Sequence, residues 1–183
     1  DKFENKFKLP SDKVAVWPVG IQSFDNVRDV EFDCLIYHKS RSIQELNYAK
    51  NFLQERNLSF HFLKYGSYDE QQFRDLANKA KFAFIIDDTE SQGIAIQEMM
   101  SLGVPLFVWD VKEWTYMGDE YKVPATSVPY WDERCGEKFY TTQEMEETFD
   151  KFYANINEYD PKAYVKENLS FESSVKTLLD ILK

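Results

Sequence analysis

The chain has 183 residues, of which 43% are hydrophobic, 30% charged and 16% aromatic, with a net charge of -10. That length is sufficient for one domain burying about 70% of the surface it exposes when unfolded, and the composition excludes a disordered or collagen-like chain. The acidic balance excludes duplex nucleic acid as a partner, because phosphates are neutralised by Lys and Arg and no basic stripe is present.

No run of 18 apolar residues occurs, so no transmembrane helix is expected. The first 12 residues are polar, lack an apolar signal core and read as a linker or N-terminal extension, leaving residues 13–183 as one folded unit. Cys34 and Cys135 have no metal-ligand spacing and are expected to be free thiols.

In chain order, Lys13 to Ile21 reads as a strand ending in a Pro-Gly loop, and Phe32 to His38 as a buried strand. Ile43, Leu46, Tyr48, Ala49, Phe52 and Leu53 recur at helical spacing. Leu58 to Gly66 is the next strand. Asp69 to Ala80 is a helix with acids in its first turn, where the dipole favours them. Phe82 to Asp87 is a strand, Ser91 to Gly103 a helix ending at glycine, and Val104 to Asp110 a strand. Residues 111–140 are aromatic and loop-rich, with one short strand expected near Ser127 to Tyr130. Thr141 to Ile156 and Phe171 to Lys183 are amphipathic helices. Alternating apolar strands and helices predict an α/β fold: a doubly wound, Rossmann-like parallel sheet closed by C-terminal helices.

In such sheets ligands lie outside the C-terminal ends of the strands. Four segments qualify: 37–41, 64–68, 87–93 and 110–114. The third is the most informative. A helix opens just after Asp87-Asp88-Thr89, and its unpaired N–H groups and dipole make an anion site. Gly93 lets a phosphate approach the backbone. Glu98 falls among Ile94, Ala95, Ile96, Met99 and Met100, where a carboxylate needs donors such as vicinal hydroxyls. Lys39 and Arg41 follow a strand and suit a diphosphate. Tyr65 and Tyr68 flank a Gly turn and suit a flat base. His38 ends a strand beside these groups, whereas His61, between Phe60 and Phe62, reads as structural.

The stretch from Glu90 to Asp110 resembles the donor-site signature of GT-B glycosyltransferases of the group 1, retaining type. There, two glutamates with seven residues between them run along a helix that is followed by Gly-Val-Pro, as Glu90, Glu98 and Gly103-Val104-Pro105 do here. The similarity extends over residues 13–115, and the paired glutamates are its most specific part.

The resemblance implies the following roles. Glu98 holds the ribose hydroxyls, Glu90 faces the donor sugar, and Ser91, Gln92 and Gly93 offer N–H groups to the diphosphate. Lys39 and Arg41 neutralise the leaving phosphates, with His38 as a further phosphate or sugar contact. Tyr65, Gly66 and Ser67 sit beside the base. It also implies a glycosyltransferase with no cofactor and no metal, although Asp87, Asp88 and Glu90 could mimic a metal cluster. The donor would be UDP-, GDP- or dTDP-linked and the acceptor a glycan or other hydroxyl. The site of action would be the cytoplasm or a membrane surface. The resemblance also implies an N-terminal acceptor domain, which these residues do not include: the chain is then expected to be an excised fragment, to have a partner that supplies the other half, or to have lost catalysis. The alternative is a non-catalytic nucleotide-binding or scaffold module that docks a partner.

Overall fold

A computed structural model describes residues 10–24, 28–116 and 121–183. The elements run β1 (Phe32–His38), α1 (Ile43–Glu55), β2 (Phe60–Lys64), α2 (Glu70–Lys79), β3 (Ala80–Ile86), α3 (Ile94–Ser101) and β4 (Leu106–Trp109). They continue with β5 (Glu113–Tyr116), β6 (Tyr121–Pro124), β7 (Gly136–Phe139), α4 (Thr142–Ala154), α5 (Pro161–Asn168) and α6 (Phe171–Ile181). Five strands form one parallel sheet in the order β2-β1-β3-β4-β7, while β5 and β6 make a separate antiparallel hairpin.

The period of two along each strand divides the core. Leu35, Tyr37, Ala83, Ile85, Leu106 and Val108 face α2, α3 and α5, where Phe73, Ala77, Ile96, Met99 and Val165 receive them. Cys34, Ile36, Phe82, Phe84, Ile86 and Phe107 face α1 and α4, against Leu46, Phe52, Phe149 and Phe152. The second face is largely aromatic. Phe107 meets Phe149 edge-on at 5.2 Å, and Phe82 meets Phe152 edge-on at 5.3 Å. Such pairs add about 1 kcal/mol beyond burial. Helices on both faces of a parallel sheet give the doubly wound, Rossmann-like architecture expected from the alternation.

Three expectations are corrected. Lys13 to Ile21 is not a strand. After a 3₁₀ turn at Ser11–Lys13 it runs irregularly, and only Ile21 bridges, to Ser170. Pro18 lacks an N–H for a ladder, and Gly20 presses on α6 so closely that a Cβ would lie 2.9 Å from Phe171 Cα. The sheet's fifth strand is β7, where Gly136 (φ 138°) is required because a Cβ would fall 1.9 Å from the Leu106 carbonyl oxygen. No strand forms near Ser127 to Tyr130. There the Ser127 N–H and hydroxyl turn inward to the Asp110 carboxylate instead of pairing with a neighbouring strand. Residues 1–9, most of the expected N-terminal extension, lie outside the described residues. Both cysteines are buried and unpaired.

Candidate functional site

The strand order reverses between β1 and β3: the chain moves outward to β2 on one side and to β4 and β7 on the other. The crevice of a doubly wound sheet opens at that point, above the strand ends. Two helices start there, α1 after β1 and α3 after β3.

The floor beneath α1 is closed. Arg41 is buried, with Nε donating to the Asp87 carbonyl at 3.0 Å, Nη1 to Glu45 at 2.7 Å and Nη2 to the Asp110 carbonyl at 2.8 Å. Its guanidinium also lies 4.9 Å from the Trp109 ring centre. Arg41, which the resemblance assigns to phosphate, is here engaged within the protein, its guanidinium tying together the ends of β3 and β4. His38 is likewise turned inward. The Arg41 carbonyl can only accept, so His38 Nε2 carries the proton and donates to it at 2.7 Å, leaving Nδ1 buried without a partner.

Beside it, Asp110 accepts from Val111 N, Thr126 Oγ1 and Ser127 N, and pairs with Lys138 at 2.8 Å. Burial alone would raise this carboxyl, but Lys138 and the N–H donors hold it below the usual range.

The ceiling is different. Lys39 pairs with Glu90 at 2.5 Å and lies 4.7 Å above the Tyr65 ring. Asp87 is fully buried. Its Oδ1 accepts from the Ser40 hydroxyl and from Asp88 N, while Oδ2 has no partner. Burial raises Glu90 above the usual carboxylate range, and neighbouring Asp87 adds to that effect against the pull of Lys39. The Glu98 carboxylate is half-buried with no hydrogen bond or ion pair among the described residues, and burial raises it too, against a weaker pull from Arg74. Tyr68, whose hydroxyl donates to Tyr37 at 3.4 Å, lies in the field of Tyr65, Glu98 and Glu90. Lys39, Tyr65, Tyr68, Glu90 and Glu98 therefore border one region.

α3 begins three residues later than the sequence suggests. Gly93 is its N-cap, in the left-handed region at φ 67°, ψ 44°, and no side chain caps the helix. Ser91 is exposed ahead of it. The Gln92 side chain is turned away from the mouth: Oε1 accepts from Val19 N and the Tyr130 hydroxyl, and Nε2 donates to the Trp17 carbonyl. Gly66 sits in an open turn at φ 75°, where a Cβ would meet nothing within 4 Å, and Ser67 N closes that turn on the Lys64 carbonyl at 3.0 Å.

The residues that sequence reasoning missed are Lys138, Ser127 and Gln97. A charged residue ending an apolar strand flags Asp110, but nothing local connects it to Lys138. Among the described residues, no three of His, Cys, Asp and Glu converge as a metal-binding group. A groove of about 510 Å³ lies at the other end of the sheet, between Ser101, Lys162 and Phe171. There α5 and α6 start with their N-caps, Asp160 and Ser170, in place. No protein-family model matches the chain, and a search of curated proteins finds no relative.

Proposed function

We propose that the chain is the nucleotide-sugar-binding half of a GT-B-type glycosyltransferase, moving a sugar from a nucleoside diphosphate to an acceptor hydroxyl. One observation carries the reading. The uncapped N-terminus of α3 opens at the reversal of strand order, with Glu90 and Lys39 at its mouth and Glu98 along its length. Unpaired N–H groups and a helix dipole favour an anion there.

In this reading the N–H groups of the 91–93 turn and the start of α3 take the diphosphate, and Lys39 swings from Glu90 to a phosphate oxygen. Glu98, raised by burial and lacking a hydrogen-bond partner, accepts from the ribose hydroxyls. Tyr65 offers its open face to the base, and Glu90 faces the sugar. The bond from the anomeric carbon to the diphosphate breaks as the acceptor oxygen attacks, and the acceptor's proton passes to the departing diphosphate or to a base of the second domain. Stabilising the departing charge is this half's main contribution, and a second domain or subunit positions the acceptor. Arg41 contributes indirectly by fixing the strand ends. We propose the cytoplasm as the place of action, by association with a nucleotide-sugar donor. No helix among the described residues is long and apolar enough to cross a membrane.

A thermal-shift screen against UDP, GDP, dTDP, ADP and CMP tests this. A ligand at about 100 times its Kd stabilises by roughly 2.7 kcal/mol. A shift with one diphosphate, lost in Glu98→Ala, is the expected result. No shift with any of them rejects the donor-site reading.

A second reading, a non-catalytic module docking a partner, is favoured by α6. Phe171, Val175, Leu179 and Leu182 are 59%, 54%, 56% and 72% exposed and recur on one helical stripe. Nucleotide binding with no transfer to any acceptor, even when the partner domain is supplied, would favour it.

A further inference from the structure

Gln97 lies in the middle of α3, is only 2% exposed, and has no part in the chemistry above. Its backbone N–H donates to the Gly93 carbonyl at 2.9 Å, and its side-chain Nε2 donates to the Gln92 carbonyl. One residue thus holds two consecutive carbonyls at the helix mouth. Across a trans peptide the C=O and the following N–H point in opposite directions. Drawing the carbonyls of Gln92 and Gly93 toward the helix therefore turns the N–H groups of Gly93 and Ile94 outward.

Gly93 is left-handed and Ile94 is helical, an alternation that brings successive N–H groups into an anion-binding concavity. Neither N–H has an acceptor among the described residues. Independently, Gln97 Oε1, on the carboxamide that holds Gln92, is buried near this mouth without a partner, and Asp87 Oδ2 faces only the Glu90 carboxyl. Buried acceptors of this kind call for donors, and a hydroxylated phosphate ester brings both an anion for the N–H groups and hydroxyls for these oxygens.

We propose that Gln97 is a positioning residue, which aims the Gly93 and Ile94 N–H groups at the phosphate of a bound nucleotide by holding the Gln92 and Gly93 carbonyls inward. The inference rests on the donor-site reading and adds a residue that spacing and motif leave out.

The test compares wild type with Gln97→Met, which keeps the volume and removes the amide. Each is titrated by calorimetry with the diphosphate found in the thermal-shift screen and with its phosphate-free nucleoside. The expected result is a loss of ten-fold or more for the diphosphate with the nucleoside unchanged. Equal losses for both, or no loss, overturn the positioning role while leaving the donor site standing. Amide NMR of the wild type with inorganic pyrophosphate keeps the idea testable even if Gln97→Met fails to fold. The Gly93 and Ile94 signals should move most, and unmoved signals overturn the proposal. If the wild type binds neither diphosphate nor nucleoside, the donor-site reading fails and this inference with it.

Discussion

α1 and α3 start at the same end of the sheet, on opposite faces and each after one of two neighbouring strands, yet their first turns are built in opposite ways. α1 begins with a reciprocal capping box between Ser42 and Glu45, and Arg41 beneath it has donors on three partners. α3 begins on a glycine with no side-chain cap, between two carboxylates that burial raises. Satisfying every polar group is what stability requires. A helix mouth left open beside half-buried acids lowers stability and leaves room for a ligand, and that trade is expected at a binding site.

The contrast is broken most severely on the closed side. Arg41→Ala should cost about 3–5 kcal/mol in urea unfolding, because it strands the Asp110 carbonyl and takes a donor from the Asp87 carbonyl and from Glu45. Arg41→Lys should recover little, since one ammonium cannot reach three partners in a fork. If Arg41→Ala is near neutral, the clamp is not a stabilising feature.

Asp110→Asn should cost about 3 kcal/mol at neutral pH by unpairing Lys138. Asp110 is held below its ordinary value in the folded state. Its contribution is therefore complete above the unfolded carboxylate value and lost as pH falls through the lower folded one. Acid unfolding curves of wild type and Asp110→Asn should converge at low pH; curves that stay parallel would contradict this.

A matched pair sharpens the comparison. Ser42→Ala removes a cap and should cost about 1 kcal/mol. Gly93→Ala forces an alanine into the left-handed region and should cost about 1–2 kcal/mol. Only the second should weaken nucleotide binding. Equal effects on binding would mean that the two helix starts are functionally alike.

The smallest effect has the most telling sign. Glu98 is raised in the folded state, so its contribution is complete below the unfolded carboxylate value and lost as pH rises through the folded one. Glu98→Gln should therefore stabilise the ligand-free protein at pH 7, by only a few tenths of a kcal/mol because water screens a half-exposed group. The gain should vanish below the unfolded carboxylate value, while nucleotide binding is lost on both sides of it. A destabilised variant at pH 7 would contradict it.

Local pattern made β1 readable to the residue, because seven largely buried positions in a row leave no competing period. It misled at Lys13 to Ile21, where Val14, Val16 and Val19 mimic a strand that Pro18 and Gly20 forbid. It hid β7 because two of its four residues are charged. Glu137 and Lys138 are satisfied by Lys151 and Asp110, and only the folded sheet brings Asp110 to Lys138. The short helix α5 and the β5–β6 hairpin went unread within stretches of mixed polarity. At the site, Glu90, Lys39 and Tyr65 stand out by position at strand ends and Glu98 by its apolar neighbours, and the four border one region. Whether Arg41 and His38 face the ligand or the interior depended on partners some 3 to 70 residues away, which no spacing rule reports.

The two buried thiols make the molecule its own clock of opening. Cys34 sits in the centre of the sheet, raised well above its ordinary value by burial, and Cys135 introduces the edge strand β7, pushed up to about 12. A thiol reagent in solution reaches neither until the chain around it parts. The rate at which Cys135 is alkylated then reports peeling of one edge, and the rate at Cys34 reports loss of the whole sheet. With both silent in the folded protein, a single cysteine introduced at Ser91 would carry a fluorophore to the mouth of α3 with little background labelling.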